Sequence, residues 1–301
     1  MVSSLARTTC LIIALVSAAL PLHAQSKRTM TPEELSRLTL GTPGQQRKAF
    51  PPHKIIGNIY YVGTEIQAAF LITTPAGHIL INTNFEETVP LLREAVEKLG
   101  FRFADIKIVL GSHAHGDHME GDALVKTLTS ARVMAMEQDV PALERMRPGG
   151  KPHPIDRVLH DGEEVSLGGT TLVAHLTAGH TAGDTTWTMR AEEGGKSYSV
   201  VILGGMGVTQ GQSLATAAGL TPLAQDYIRS FKFLRSIPCD VPLGSHASMF
   251  NMADKYARLG KEPKGVNPYI DRDGYFEELD ARERVFTLRL DEQKKAAGKS
   301  L

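Results

Sequence analysis

Four side chains that could bind metal lie within six consecutive residues of this sequence. The segment HAHGDH places His113, His115, Asp117 and His118 shortly after the apolar run Ile106–Leu110, which predicts a buried strand. Imidazole and carboxylate groups are ligands that suit zinc. Because four ligands so close together exceed what one tetrahedral site readily uses, the segment favours two adjacent metal ions and a two-metal hydrolase.

Two further histidines follow predicted strands. His180 stands in TAGHTAG after the strand at 171–177, and His246 stands in GSH after the short strand at 241–243. Loops at one edge of a sheet are where the site residues of a protein often converge. We therefore expect three loops to bring their histidines together. The remaining histidines lie among prolines, near turns or inside strands, where packing or solvent contact is the default interpretation.

The elements needed to position these loops are of mixed type. The predicted strands are at residues 55–62, 68–73, 78–81, 106–110, 132–136, 171–177, 185–190, 198–203 and 241–243. The predicted helices are at residues 32–38, 88–99, 122–129, 222–236, 252–259 and 275–294. This pattern favours sheets with helices packed outside them. No low-complexity linker divides the chain, so residues 25–301 are expected to form a single domain.

The start of the chain has the pattern of a secretory signal. Residues 1–24 contain one charged side chain, Arg7, and an apolar run at 10–20 that is too short for a typical membrane-spanning helix. Ala24 offers a small residue before a cleavage site at Gln25. We therefore predict a periplasmic or secreted protein, which does not contact the membrane after the signal is removed. A retained N-terminal anchor is the alternative.

Charge and cysteine content argue against several other classes of protein. The chain has 33 basic and 33 acidic residues, so charge gives no reason to expect nucleic acid or an anionic membrane as a partner. Its two cysteines are Cys10, which leaves with the predicted signal, and Cys239. Cys239 then lacks an intramolecular partner, and its apolar surroundings favour a buried side chain over a catalytic thiol. The oligomeric state is left open.

The motifs HAHGDH, AGHTAGDTTW and the later GSH resemble those of the metallo-β-lactamase superfamily, and residues 50–275 look most like class B β-lactamases of subclass B3. The resemblance implies an α+β fold, a four-layer αββα sandwich of two mixed sheets with helices on both outer faces. It also implies two zinc ions per chain. The implied ligands are His113, His115 and His180 for the first ion, and Asp117, His118 and His246 for the second.

For such an enzyme the implied substrate is a small molecule, a β-lactam, and the reaction opens its ring. A hydroxide that bridges the two ions would attack the strained amide carbonyl. Asp117 would hold the second ion and orient the hydroxide. A covalent intermediate is not expected, because Ser245 in GSH does not lie in a nucleophile elbow.

Several positions depart from the pattern of the family. Met206 stands where subclass B3 enzymes usually carry serine, so it either shapes the substrate pocket or packs in the core. Thr209 and Gln210 follow in a polar loop and are candidates for contact with a substrate carboxylate; a solvated loop is the alternative. Asn82 replaces the usual aspartate, which predicts a retuned set of hydrogen bonds behind the metal loop. The stretch 146–157 is shorter than the matching loop, which predicts a wider cleft.

Two other functions remain open on the sequence. A dinuclear zinc lactonase, or another hydrolase of the same fold, would need the same metal ligands, since a fold alone does not choose a reaction. A zinc-binding protein without turnover is the least favoured alternative, because the complete set of six ligands argues against it.

Overall fold

The computed structural model describes residues 26–263 and 265–298. Its first sheet contains seven strands in chain order, namely β1 His53–Ile56, β2 Ile59–Tyr61, β3 Phe70–Thr74, β4 Gly77–Ile81, β5 Ile106–Leu110, β6 Arg132–Met136 and β7 Arg157–Leu159. Strands β1 to β4 pair antiparallel, whereas β4 to β7 pair parallel. The first sheet is therefore mixed, and its parallel half carries the first metal-binding segment.

The second sheet contains five strands. Four of them are consecutive, namely β8 Glu164–Leu167, β9 Thr170–Leu176, β10 Thr185–Glu193 and β11 Lys196–Leu203. A two-stranded ribbon follows, formed by β12 Ala215–Thr216 and β13 Gly219–Leu220. The fifth strand, β14 Val241–Gly244, pairs parallel with β11, while β8 to β11 pair antiparallel. This sheet is also mixed.

Helices connect and cover the two sheets. They are α1 Pro32–Leu40, α2 Pro43–Gln46, α3 Val89–Lys98, α4 Gly116–Met119, α5 Asp122–Thr129, α6 Val140–Leu143, α7 Pro222–Ser236, α8 Met252–Arg258 and α9 Arg272–Gly298. Helix α1 begins with a capping box in which Thr31 and Glu34 satisfy each other's backbone amides. Over residues 26–263 and 265–298, no helix combines the length and apolar character needed to cross a membrane.

The alternation of side chains along the strands builds the four layers. In β4, Ile79 and Ile81 belong to the apolar core that includes side chains of the second sheet, whereas Leu80 packs with α3 and α5 on the outer face. On the other side, α7 and α9 cover the second sheet with buried aromatic rings such as Phe231 and Phe286, whose centroids lie 5.9 Å apart. The expected αββα sandwich is confirmed.

Trp187 of β10 ties the two sheets together near the metal-binding segment. Its side chain is buried in the core, and its indole Nε1 donates a hydrogen bond of 3.0 Å to the carbonyl oxygen of Gly111. A buried indole N–H needs such a partner, since an unpaired polar group in the core is costly. The bond holds the chain at the point where β5 leads into HAHGDH.

Two local features differ from the predictions. The strand expected at 55–62 is two strands, β1 and β2, because Gly57 adopts φ +52° and turns the chain. A Cβ at Gly57 would lie 3.0 Å from the carbonyl oxygen of Glu192, so a larger residue would also be crowded there. Strands β7 and β8 were not predicted, because three and four residues are too few to show a pattern. The predicted signal at 1–24 lies outside the described residues.

Candidate metal centre

The six predicted ligands meet at one edge of the two sheets. His113 follows β5, His180 follows β9, and His246 follows β14. The carboxyl ends of these strands open on the same edge, and a backbone bridge joins His246 to Gln67 of the first sheet's β2–β3 connection. The structure thus brings together three loops that are far apart in the sequence.

Backbone hydrogen bonds shape the segment that carries four of the ligands. The amide of His115 donates to the carbonyl oxygen of His113 at 2.8 Å, and the short helix α4 then places Asp117 and His118 in one turn. The carbonyl oxygen of His118 accepts hydrogen bonds from the amides of Thr83 and Asn84 at 2.9 and 3.1 Å. The segment is therefore fastened to the loop after β4.

His113, His115 and His180 form the first triad. Each offers an imidazole nitrogen, and these three nitrogens lie within 4.8 Å of one another. The ring centroids of His113 and His180 are 4.7 Å apart, and those of His115 and His180 are 4.8 Å apart. This spacing suits three ligands around one ion.

Asp117, His118 and His246 form the second triad, with ligand atoms again within 4.8 Å of one another. Oδ2 of Asp117 lies 3.3 Å from Nε2 of His118 and 3.7 Å from Nε2 of His246. The rings of His113 and His118 are 4.3 Å apart between centroids, so the two triads are neighbours. The arrangement can hold two ions side by side.

Burial keeps four of the five imidazoles neutral. It lowers the pKa of His180 to about 4 and the pKa of His113 and of His246 well below the ordinary value of 6.5, and the neighbouring histidines add to the effect at His113 and His246. Burial also lowers the pKa of His118. Neutral imidazoles have the lone pairs that bind metal, so the site is poised to bind cations at neutral pH.

Asp117 is the acidic side chain of the site. Burial alone would raise the pKa of its carboxyl, but the nearby imidazoles of His118 and His246 offset this, so the pKa lies below its ordinary value. Its side chain keeps 19% of its surface exposed. Asp117 is therefore an ionised carboxylate that faces the opening of the site.

Protein groups orient two ligands of the first triad. Nδ1 of His180 donates to the carbonyl oxygen of Gly207 at 2.6 Å, which leaves Nε2 free for a metal. The hydroxyl of Tyr227 donates to the same oxygen at 2.8 Å. Nδ1 of His113 lies 3.2 Å from Oγ of Ser112 and 3.5 Å from Oδ2 of Asp184. The outer nitrogens of both rings therefore face polar partners.

Asp184 is itself deeply buried. Burial raises the pKa of its carboxyl well above the ordinary range. Its two oxygens accept hydrogen bonds from the hydroxyl of Thr177 at 3.1 Å and from the amide of Gly205 at 2.5 Å. A Cβ at Gly205 would lie 2.1 Å from Cδ2 of His180, so only glycine lets this strand end pass behind the His180 ring.

Asp139 joins the two loops of the first triad, and no sequence pattern marks it. Its Oδ2 accepts from the amide of Ala114 at 2.7 Å and from the hydroxyl of Thr181 at 2.9 Å, and its Oδ1 accepts from the amide of Gly183 at 2.7 Å. The side chain is buried. One carboxylate thus fixes the distance between the His113 loop and the His180 loop.

Asn82 lies where a supporting residue was expected. Its backbone adopts φ +63°, which asparagine tolerates better than most residues. Its Oδ1 accepts from the amide of Ser112 at 2.9 Å, and its Nδ2 donates to the carbonyl oxygen of Ala68 at 3.2 Å. An aspartate could make the first of these bonds but could not donate the second, which gives the expected retuning a specific form.

The predicted substrate contacts lie in different environments. Met206 is 6% exposed and lines a void of about 10 Å³ together with Tyr227 and Phe231, which matches the core-packing alternative. Thr209 and Gln210 are exposed on the loop after β11. No described contact tests whether any of them touches a substrate, so that role stays a prediction.

Gln212, two residues further on, supports the site instead. Its Nε2 donates to the carbonyl oxygens of Gly179 and His180 at 3.1 and 3.2 Å. Its Oε1 accepts from the amide of Thr209 at 2.8 Å and from the hydroxyl of Tyr227 at 3.1 Å. This glutamine therefore ties the loop after β11 to the loop that carries His180.

The stretch 146–157 is tethered beside the second triad. Nε2 of His153 lies 3.1 Å from the carbonyl oxygen of Met119 and 3.2 Å from Oδ2 of Asp122, and Thr83 donates to the other oxygen of Asp122 at 2.6 Å. Burial lowers the pKa of His153, but its bond to Asp122 outweighs this and raises the pKa overall. The wider cleft predicted here stays a prediction.

The histidines outside the two triads have other partners. His53 shares a 2.6 Å hydrogen bond with Tyr269, and His175 shares one of 2.8 Å with Thr188. Cys239 is buried, and burial raises the pKa of its thiol to about 12, which makes it a poor nucleophile. Within residues 26–263 and 265–298, only the two triads group three or more potential ligands closely enough to hold a metal.

The two triads fit metal ions by a property of the structure itself. Nε2 of His113, both ring nitrogens of His118 and Nδ1 of His246 are buried with no hydrogen-bond partner among the described residues. Such nitrogens are costly in a folded protein unless something binds them. Imidazole with one carboxylate is a donor set that zinc accepts. The residues present therefore fit a pair of zinc ions.

A sandwich of two mixed sheets with histidine-rich loops at one edge defines a class of metal-dependent hydrolases, and comparison with known proteins places the chain. The family model described as the metallo-β-lactamase superfamily matches residues 62–246. The chain belongs to this superfamily, and its structural relatives make it most like subclass B3.

Solved structures of hydrolases share the fold over nearly their full length. FEZ-1 metallo-β-lactamase from Legionella gormanii is 43% identical, with a TM-score of 0.77, over 82% of this chain and 98% of that chain. BJP-1, a subclass B3 metallo-β-lactamase of Bradyrhizobium japonicum, is 32% identical, with a TM-score of 0.74, over 84% and 98%. GOB-18 from Elizabethkingia meningoseptica is 29% identical, with a TM-score of 0.74, over 84% and 96%.

A curated relative covers a smaller region. A hydroxyacylglutathione hydrolase from Rhodopseudomonas palustris (strain BisB5) is 30% identical over 112 residues, which are 37% of this chain. The match spans 39% of the length of that relative. This similarity is consistent with the shared superfamily.

Proposed function

We propose that the protein is a zinc-dependent hydrolase that opens the β-lactam ring of antibiotics, with two zinc ions per chain. The observation that carries the proposal is the pair of adjacent triads, each with three ligand atoms within 4.8 Å of one another. Support for the β-lactam substrate comes from FEZ-1 and BJP-1, two metallo-β-lactamases that this chain matches over 98% of their lengths.

Different residues of the chain have different roles in the proposed reaction. Zinc ions held by the triads would polarise a carbonyl oxygen and make water a nucleophile at neutral pH. Asp117 stays ionised, so its carboxylate can hold and orient a water molecule and take up its proton. The amide nitrogen of the opened ring then requires a proton, and Asp117 could return the one that it took up from the water. Asp139 and Gln212 keep the ligand loops in place meanwhile.

A lactonase, or another hydrolase of this fold, is the main alternative. Opening a lactone needs the same metal ligands. The partly matching relative is named as a hydroxyacylglutathione hydrolase, whose substrate is a thioester. The side chains that line the cleft determine which of these substrates binds. An assay with each substrate therefore distinguishes the two functions.

The decisive experiment compares substrates on the protein that starts at Gln25. We expect hydrolysis of nitrocefin, a carbapenem and a penicillin, loss of activity after zinc is removed by a chelator, and recovery when zinc is returned. Preference for an acyl-homoserine lactone or a glutathione thioester would overturn the β-lactam assignment. Turnover of nitrocefin that survives complete zinc removal would overturn the metal mechanism.

A matched pair of variants separates the site from general histidine effects. His113→Ala removes a buried ligand, whereas His160→Ala removes an exposed histidine that contacts Glu137 outside the triads. We expect activity to be lost in the first variant and kept in the second. Equal loss in both would contradict the proposed site.

Export is part of the proposal. An enzyme that destroys antibiotics is of most use outside the cytoplasm, and the pattern of residues 1–24 supports removal after Ala24. Expression of the full chain in a bacterium, followed by mass measurement of the periplasmic protein, should give a mature form that starts at Gln25. Intact protein in the membrane fraction would instead favour the retained anchor.

A further inference from the structure

A buried arginine on α9 has one donor without a partner. The side chain of Arg282 is 6% exposed. Its Nε donates to Oε1 of Glu278 at 2.8 Å, and one terminal nitrogen donates to Oγ1 of Thr39 at 2.8 Å. The other terminal nitrogen, Nη1, has no hydrogen-bond partner among the described residues. Nη1 is not sealed off from solvent.

The free nitrogen of Arg282 faces the wall of the metal centre. A Cβ at Gly207 would lie 3.9 Å from Nη1 and would meet no other atom within 4 Å. Gly207 is the residue whose carbonyl oxygen orients His180. Burial and the other groups of the second triad have the largest effects on the pKa of His246. The positive charge of Arg282 lowers this pKa further. The guanidinium therefore lies beside Gly207, within electrostatic reach of His246.

The charges around Arg282 do not balance. Glu278 is fully buried and lies between two cations, Arg282 and Lys27, whose Nζ is 2.9 Å from Oε2 of Glu278. No second carboxylate among the described residues contacts either cation. One excess positive charge is thus held in a largely buried place. Lys27 also donates to the backbone carbonyl oxygens of Ser248 and Met249, so the donor left for an anion from outside is Nη1 of Arg282.

We propose that Nη1 of Arg282 binds the anionic group of the substrate, a carboxylate, beside the metal centre. Arginine is suited to this role because its planar guanidinium stays charged and forms strong hydrogen bonds to carboxylates. The inference rests on the proposed hydrolase function and deepens it, since it makes the enzyme selective for anionic substrates. It also assigns to α9 a contact that the sequence suggested for Thr209 and Gln210.

The test compares a substrate with and without its carboxylate. Nitrocefin carries a free carboxylate, and its methyl ester is neutral there. In Arg282→Gln, KM for nitrocefin should rise on the order of ten- to a hundredfold, as expected for loss of a charge-assisted hydrogen bond, while KM for the ester stays within about twofold. Equal changes for both substrates would show a merely structural role and overturn the proposal.

Two further variants separate charge from folding. Arg289→Gln removes a cation from the same helix that pairs with Glu33 and Glu292, and it should leave both KM values unchanged. Gly207→Val places a side chain against Nη1 without touching Glu278, and it should also raise KM for nitrocefin more than for its ester. These results keep the inference testable even if Arg282→Gln folds poorly.

Direct binding separates this inference from the proposed function. In zinc-free protein, fluorine NMR should detect 4-fluorobenzoate at millimolar concentration, and Arg282→Gln and Gly207→Val should abolish this binding while Arg289→Gln retains it. Neutral 4-fluorobenzamide should not bind. Binding of the benzoate by protein that hydrolyses no β-lactam would leave the anion site standing and remove the β-lactamase assignment. Equal binding to wild type and Arg282→Gln would overturn the anion site alone.

Discussion

The two metal triads are built in different ways. In the first, the outer ring nitrogens of His113 and His180 face Ser112, Asp184 and the carbonyl oxygen of Gly207. In the second, both ring nitrogens of His118 and Nδ1 of His246 are buried with no hydrogen-bond partner among the described residues. One triad is oriented by hydrogen bonds, whereas the other is held by backbone and packing.

The difference indicates how the two sites should fill. A hydrogen bond to the outer nitrogen fixes the tautomer and the angle of an imidazole before the ion arrives, and such partners commonly change metal affinity by about 10- to 100-fold. The second triad lacks them but has the carboxylate of Asp117. We therefore expect the first triad to bind zinc more tightly than the second triad. The second triad should fill only after the first.

The largest effects should follow removal of one ligand from each triad. His180→Ala and His246→Ala should each bind one zinc ion and lose nitrocefin hydrolysis by about a thousandfold or more, because each loses several kcal/mol of transition-state stabilisation. Zinc titration with a chromophoric competitor should show that His246→Ala keeps the tighter binding step and His180→Ala loses it. The reverse order would contradict the assignment of the tighter zinc site to the first triad.

The next effect is a pH dependence in zinc-free protein. Histidines whose folded pKa is lowered by burial stay neutral in the native state while the unfolded chain takes up protons below pH 6.5. The free energy of unfolding should therefore fall from pH 6.5 toward pH 4, by about 1.4 kcal/mol per pH unit for each such histidine.

Urea unfolding at several pH values measures this dependence. His180→Gln should flatten the curve by one histidine's share, and His246→Gln should also flatten it, because burial lowers the pKa of both rings. A curve for the wild type that is flat between pH 6.5 and pH 4 would contradict the burial of these rings. His160→Gln, which changes an exposed histidine, should leave the curve unaltered.

A smaller effect is expected at Asp139, which joins the loops of the first triad. Asp139→Asn replaces one accepting oxygen by an NH₂ group, so at least one buried amide of Ala114 or Gly183 loses its partner. We expect a loss of about 2 kcal/mol in the stability of the zinc-free protein and roughly tenfold weaker binding at the tighter zinc step.

Asp254→Asn is the control for Asp139→Asn, because Asp254 is exposed on α8 and its ion pair is with Arg258 of the same helix. It should change neither the unfolding midpoint in urea nor the zinc titration. If Asp139→Asn weakened the second zinc step alone, Asp139 would not be the residue that preorganises the first triad.

The layered fold and the six predicted ligands were accessible from sequence because their signals are local. HAHGDH shows four potential ligands in six residues, and His180 and His246 follow a glycine by one and two residues after predicted strands. Short apolar runs such as β4 and β5 also predict buried strands. The αββα fold itself was expected from the resemblance that these motifs carry, and it is confirmed.

The supporting residues were not accessible, because their roles exist only in the folded chain. Asp139 lies on a short turn before α6, and nothing in its neighbours marks it as the partner of amides 25 and 44 residues away. Arg282 looks like one of many charges on a long polar helix. Its burial depends on Thr39 and Glu278, and such tertiary contacts leave no pattern in a single sequence.

The smallest effect should come from two neighbouring glutamines that the sequence does not distinguish. Gln210 is exposed, so Gln210→Ala should change the free energy of unfolding by less than about 0.5 kcal/mol and leave zinc binding as it is. Gln212 makes hydrogen bonds to the loop of His180, so Gln212→Ala should cost about 1 kcal/mol and weaken only the tighter zinc step. If Gln212→Ala left zinc binding unchanged, the hydrogen bonds of Gln212 would not preorganise the first triad. The difference in zinc affinity between the triads would then have to come from the hydrogen bonds of His113 and His180 themselves.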